Sequence, residues 1–181
     1  MMGMARPMLR HVPRIGFRKV CGSGSGQGFT PVPNTAVYAI LATWPDLENA
    51  RRQTRNAAVF RRYRSRAEEC WTVFLSPTSA REAWSGQTPF EPQNGTAEGP
   101  VAALTRASLR PSATWRFWQR VPDISRKIGE NTQVVLNIGI GEIPLFNQIT
   151  FSIWPDTAAM AGFARADGPH CRAVRAVRAG G

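Results

Sequence analysis

The sequence predicts an α+β chain made of two like halves, and three repeated features carry that prediction. Val12-Pro13-x-Ile15 is matched by Val121-Pro122-x-Ile124. A strand-like run meets Gly-x-Gly in each half, at Gly22-Ser23-Gly24 and at Gly139-Ile140-Gly141. A later β-branched, aromatic run closes on Trp-Pro-Asp, at Trp44-Pro45-Asp46 and at Trp154-Pro155-Asp156. Pro13 and Pro122 are 109 residues apart and Trp44 and Trp154 are 110 apart, so the order and the spacing are both kept. Such self-similarity marks a duplicated unit. Each half reads as βαββαβ, a ferredoxin-like unit, and two in tandem would make an intramolecular barrel of the dimeric α+β kind. The expected boundaries are 1–85 for the first half, 86–98 for a linker loop and 99–181 for the second half. By the repeat, the first half lacks the strand that opens the second. The second half in turn lacks a counterpart of the run Cys70 to Leu75.

Taken in order, Arg6 to Val12 reads as the end of a helix and Gly16 to Cys21 as a short strand. Gly22 to Gly28 is a glycine-rich loop. Asn34 to Trp44 is rich in β-branched and aromatic residues and predicts a buried strand. Pro45 cannot continue a ladder, and Leu47 to Tyr63 predicts a basic helix. Cys70 to Leu75 (CWTVFL) predicts a strand, and Pro77 to Trp84 a short helix before a polar loop from Ser85 to Pro100. Val101 to Ser108 is a strand, Pro111 to Arg120 a Trp-bearing amphipathic helix, and Gln133 to Ile140 a strand. Gln148 to Trp154 is the last strand, and Asp156 or Thr157 is placed to cap the helix that carries Ala158, Ala159, Met160 and Phe163. Gly168-Pro169 breaks that helix and starts another, with Pro169 in a favoured first-turn position. His170 stands at its head, with Arg172, Arg175 and Arg178 three residues apart along one face.

Hydrophobic residues make up 43% and charged residues 19%, which fits a folded domain and not a disordered chain. The net charge is +11, with Lys19 and Lys127 the only lysines. Residues 1–70 hold twelve basic and four acidic side chains, so +8 of that charge lies there. A surface of this kind attracts an acidic protein, an anionic membrane face or a polyanion, although a coding bias toward arginine gives the same count. No homeodomain, zinc-finger or RRM signature accompanies the charge, so no nucleic-acid partner is expected. No run of 18 apolar residues is present, and Met1 to Arg14 lacks the apolar stretch of a secretory signal. Three widely spaced cysteines, Cys21, Cys70 and Cys171, suit free thiols in a cytoplasmic setting. Gly22 to Gly28 departs from G-x-G-x-x-G and leads into Phe29-Thr30-Pro31, not a helix, so a dinucleotide site is excluded. Trp-Pro-Asp with His170-Cys171 has a phosphatase flavour, but Val177 stands where the phosphate-binding arginine should be.

Four blocks carry a family resemblance: Gly28 to Asp46, Phe60 to Pro77, Gly99 to Ser112 and Ile149 to Gly181. They resemble the spheroidene monooxygenase family, the carotenoid 2-ketolases of purple photosynthetic bacteria. The likeness runs from Ile15 to the end of the chain. Family members begin with an extra strand and helix and continue past Gly181, in line with the gaps that the repeat exposes. The resemblance implies a haem (iron) oxygenase that uses O2 and electrons from reduced ferredoxin. Its substrate would be an acyclic carotenoid, oxidised twice at C-2 and dehydrated to a ketone. It further implies a cytoplasmic protein, peripheral to the intracytoplasmic photosynthetic membrane, whose basic half meets ferredoxin or anionic lipid. The other reading is a non-catalytic haem- or carotenoid-binding α+β barrel.

Haem iron is held by His, Cys thiolate, Met or Tyr. Under the resemblance His170 is the first candidate ligand, with Arg172, Arg175 and Arg178 placed to pair with the propionates. The plainer reading is that His170 caps a helix and that the arginines face water. Cys171 and Tyr63 are the next candidates, and His11 lies outside the matched blocks. Trp115, Phe117 and Trp118, with Trp71, Phe74 and Trp84, would either line a polyene groove or fill the core. The distal, oxygen-steering residues are not assigned.

Overall fold

The computed structural model describes residues 2–25, 30, 32–81, 83–93, 98–108, 131–143 and 147–165. Its elements run α1 (Met2–Leu9), β1 (Arg18–Gly24), β2 (Pro33–Ala42), α2 (Leu47–Asn56), α3 (Ala58–Arg64), β3 (Val101–Ser108), β4 (Leu136–Ile143), β5 (Asn147–Trp154) and α4 (Thr157–Arg165). The class is α+β, as the repeat predicted. The five strands form one sheet in the order β2-β1-β4-β5-β3. By compactness the chain divides into Met1–Cys21 with Ala39–Thr96, and Gly22–Tyr38 with Ala97–Gly181, so β1 and β2 contribute to both units.

In the second unit β3 pairs with β5 and β5 with β4, both antiparallel. The order β3-β5-β4 places the first strand beside the third and the third beside the second, as in a βαββαβ unit. A register shift between Gly141 and Ile143 bulges β4 just before the hairpin to β5. Gly141 is required there, because a Cβ would lie 2.8 Å from the Asn147 carbonyl oxygen. β1 runs three residues beyond its expected end, into the glycine-rich segment. The cause is pairing with β4: Gly22 lies opposite Gly141, Ser23 opposite Ile140, and Ser23 Oγ donates to the Gly139 carbonyl at 2.7 Å.

In the first unit α1 and α3 bury Ala5, Leu9, Val12 and Val59 against Val20, and Met8, Ile40, Trp44 and Phe60 pack around them. Phe17 meets Trp84 at 5.2 Å between ring centroids, and Phe90 closes an aromatic trio with both. Phe17 N–H donates to Thr43 Oγ1, the Thr43 N–H donates to the Phe17 carbonyl, and Gly16 N–H donates to the Thr43 carbonyl at a point where a Cβ on Gly16 would crowd that hydroxyl at 2.7 Å.

Three expectations about this unit need correction. The helix expected over Leu47 to Tyr63 is broken at Ala57, whose φ −67° and ψ 140° are extended. The break is stabilised from outside: the Arg64 guanidinium donates to the Thr54 and Arg55 carbonyls, satisfying acceptors that the end of α2 leaves open. Cys70 to Leu75 is not a strand but an exposed, irregular run. Its β-forming side chains have no ladder partner among the described residues, and propensity alone does not make a strand. The described residues of Pro77 to Trp84 likewise form no helix; an isolated bridge joins Trp84 to Gln87.

Candidate functional site

The register of the second unit sorts its side chains onto two unlike faces, because directly paired residues point the same way. On one face the cross-strand rows are Leu136–Ile153–Ala102, Ile138–Phe151–Leu104 and Ile140–Ile149–Arg106. On the other they are Asn137–Ser152–Ala103, Gly139–Thr150–Thr105 and Gly141–Gln148–Ala107. The first face is an apolar wall about 10 Å across three strands and about 14 Å along them. Ile149 and Ile140 are its buried floor, while Leu136, Ile138, Phe151 and Ile153 are half-buried.

The small and polar face is the one that α4 covers. Trp154 shares that face, packs on Phe163 of α4 at 5.1 Å between ring centroids and donates from Nε1 to Ser152 Oγ at 3.0 Å. α4 is set in place by Asp156, whose Oδ1 accepts from the Ala159 N–H at 2.7 Å. Asp46 does the same for α2, accepting from the Asn49 N–H at 2.7 Å, so both Trp-Pro-Asp corners end in an aspartate cap. The sole charge in the apolar rows is Arg106, at the edge strand, where Nη1 donates to Ser108 Oγ at 2.8 Å. Chemically, the wall can hold a flat or extended hydrocarbon; among the described residues its apolar rows hold no carboxyl, imidazole, hydroxyl or thiol.

The candidates from sequence are distributed unevenly. His170, Cys171, Arg172, Arg175, Arg178, Trp115, Phe117 and Trp118 lie outside the described residues. Tyr63 packs against the first unit's core, Cys21 is buried and Cys70 exposed. Trp84 is buried in the aromatic trio, whereas Trp71 and Phe74 are exposed, so a core role fails for those two. The wall itself was not anticipated as a site. Its signal was present as period-two alternation in Leu136-Ile138-Ile140 and Ile149-Phe151-Ile153.

His11, the one histidine among the described residues, is exposed at the rim of a cavity of about 330 Å³ in the first unit. That cavity is lined by Met8, Val12, Pro13, Gln53, Asn56 and Ala57–Val59. It stands near the lower limit of about 300 Å³ for drug-sized ligands, and a metalloporphyrin is larger. No group of three or more His, Cys, Asp or Glu side chains is assembled for a metal among the described residues. That cavity is too small to enclose a haem, and His170, the ligand that the resemblance implies, lies outside the described residues.

Against curated proteins, the chain is 49% identical over 178 residues to the spheroidene monooxygenase of Rhodobacter capsulatus, covering 97% of this chain and 74% of that protein. The chain belongs to the spheroidene monooxygenase family. The spheroidene monooxygenase of Cereibacter sphaeroides is 50% identical over 173 residues, which are 94% of this chain and 53% of the relative. That of Rubrivivax gelatinosus is 36% identical over 166 residues, 92% of this chain and 64% of the relative. The chain thus spans between about half and three quarters of the length of these relatives. No family model matches the chain, and no solved structure matches it. The spheroidene monooxygenases are oxidoreductases by name, and the matched region takes in all five strands.

Proposed function

We propose that this chain carries the substrate-holding fold of a carotenoid 2-ketolase, a monooxygenase that acts on an acyclic carotenoid such as spheroidene. The observation that carries the reading is identity near one half across almost the whole chain to relatives named for that activity. The apolar wall of the second unit supports it: the hydrocarbon length of such a carotenoid is recognised by shape and by apolar contact. Two hydroxylations at the C-2 methylene give a geminal diol, and loss of water leaves the ketone. A haem would supply the oxygen chemistry, with electrons from reduced ferredoxin. In this reading His170 would hold the haem iron, and Arg172, Arg175 and Arg178 would pair with its carboxylates. The chain's own task is to keep the pocket dry and to fix the carotenoid end.

Two tandem ferredoxin-like halves are part of the same proposal. The middle residues of the two Gly-x-Gly segments, Ser23 and Ile140, lie opposite each other in an antiparallel pair. A local two-fold axis through duplicated halves has that property. The protein would work at the cytoplasmic face of a photosynthetic membrane, and no helix among the described residues is long and apolar enough to cross a bilayer.

The test is an absorption spectrum of haem-reconstituted protein, wild type beside His170→Ala, together with a turnover assay using carotenoid, O2 and reduced ferredoxin. Loss or displacement of the Soret band in the variant, with ketone formed by the wild type, is expected. An unchanged Soret band removes His170 and turns attention to Cys171 or Tyr63. Pigment binding without ketone leaves a non-catalytic binding protein, and no haem uptake at all ends the cofactor assignment.

A further inference from the structure

We propose that the cavity of the first unit binds a small uncharged molecule with an apolar body and an amide head, and that Gln53 reads the head. Gln53 lines this space of about 330 Å³ and is only 9% exposed. Its backbone carbonyl accepts from the Ala57 N–H, but its side-chain amide makes no hydrogen bond among the described residues. Asn49, one turn earlier on α2 and 7% exposed, is the contrast. Its Nδ2 donates to Asp46 Oδ2 and its Oδ1 accepts from Arg52, so both ends of that amide are used within the fold. Buried side-chain amides are ordinarily satisfied, and Gln53 keeps its donors and acceptor open toward the cavity.

The cavity depends on the extended backbone at Ala57, which brings Ala57, Ala58 and Val59 to its lining. Arg64 fixes that break by donating to the Thr54 and Arg55 carbonyls, each at 2.6 Å. The chemistry of the lining selects the ligand class. In a chain with 19% charged residues, no Arg, Lys, Asp or Glu lines the cavity among the described residues, and its one titratable group is His11, exposed at the rim. An ionised ligand would give up hydration there without gaining a counter-charge. Met8, Val12, Pro13 and Val59 cover an apolar body. An amide head presents a carbonyl and an N–H side by side, so it can satisfy Nε2 and Oε1 of Gln53 together, whereas a ketone meets only the donor. Asn56 adds a second amide in the lining, at an exposed position. The volume suits a single-ring molecule and not a whole carotenoid.

This site goes beyond the ketolase reading and does not rest on it, and its test contains no pigment, haem or electron donor. Isotope-labelled full chain is titrated with cyclohexanecarboxamide and followed by amide NMR spectra. Cyclohexyl methyl ketone and cyclohexanecarboxylate, of similar shape, are titrated in parallel. The carboxamide should move the Gln53 side-chain signals and the Val12 and Val59 backbone signals saturably, and should raise Tm as its concentration rises. It should bind about fivefold tighter than the ketone and about tenfold or more tighter than the carboxylate. Gln53→Leu, checked for fold by circular dichroism, should abolish the preference for amide over ketone. Ala58→Phe, at an exposed lining position outside the core, should weaken carboxamide binding about tenfold by filling the mouth, and it serves alone if Gln53→Leu does not fold. Equal binding of the three compounds overturns the proposal, as does an Ala58→Phe protein that binds like wild type. So does the lack of any saturable shift at Gln53 and Val59, since ordered water alone would then meet the amide.

Discussion

Replacing Gly141 by alanine tests the bend that holds β4 between β1 and β5. The added Cβ would stand 2.8 Å from the Asn147 carbonyl oxygen and 3.6 Å from Gln148 Nε2. A carbon–oxygen contact is comfortable at about 3.3 Å or more, so about 0.5 Å must be found. The side-chain amide of Gln148 can swing away, but the Asn147 oxygen is backbone. β4 cannot retreat freely either, because Gly141 is opposite Gln148 on one side and Gly22 on the other. Overpacking of this kind costs about 1–3 kcal/mol. In a chain of this size each kcal/mol lowers Tm by about 2–4 °C. The control is Gly162→Ala, in α4, where a Cβ meets nothing within 4 Å. There alanine should stabilise by about 0.5–1 kcal/mol, because it removes backbone freedom from the unfolded chain. Thermal and urea denaturation of both variants are compared with wild type, and the two shifts should have opposite signs. A Gly141→Ala protein as stable as wild type would show that the strands at this bulge can part freely, and the reasoning about their close approach would fail.

Three further outcomes follow from the same geometry. The Asn49 N–H and then its side-chain amide hold the Asp46 carboxyl below its ordinary value of 3.8; burial opposes them, and Arg14 and Arg52 each add a smaller lowering effect than that opposition. A depressed folded pKa gives stability that is present above the unfolded value and is lost as pH falls through the folded one. Urea midpoints measured downward from about pH 5 should therefore drop more steeply for wild type than for Asp46→Asn, which keeps a cap but does not titrate; parallel profiles would contradict this. Ser152→Ala removes the acceptor of a buried indole N–H and should cost about 1–3 kcal/mol, visible as a lower urea midpoint. Phe151→Glu puts a charge between Ile138 and Leu104 and should weaken carotenoid binding about tenfold or more, while Phe151→Leu retains it. Equal pigment binding by both Phe151 variants would move the substrate off this wall.

What the sequence made legible was what short-range chemistry decides. β3 is found at its expected residues, β2 and β5 within two, and the Asp-capped starts of α2 and α4 follow from Trp-Pro-Asp corners. What it hid depended on partners far along the chain. The extension of β1 through Gly22 and Ser23 is made by β4, more than a hundred residues away. The break at Ala57 depends on Arg64 reaching back to Thr54 and Arg55. Cys70 to Leu75 has strand composition and no ladder, so composition misled in the absence of a neighbour.

The candidate site shows the same division between local and distant causes. His170 was singled out as a residue type at a helix start, whereas the wall exists only once three strands are in register. That register inverts a common arrangement. A helix-backed sheet ordinarily turns its more apolar face to the helix, yet here α4 lies on the face of Asn137, Ser152, Thr150 and the glycines. Small residues on that side let Trp154 and Phe163 come down close to the sheet. The isoleucines and Phe151 are thereby left for the opposite side, where Leu136, Ile138, Phe151 and Ile153 remain half-buried. Four such side chains in adjacent rows are a standing demand for apolar cover. The long hydrocarbon of a carotenoid would meet that demand by apolar contact. Recognition by this wall would then fix depth and direction through shape alone, leaving the choice of carbon to whatever grips the polyene's end.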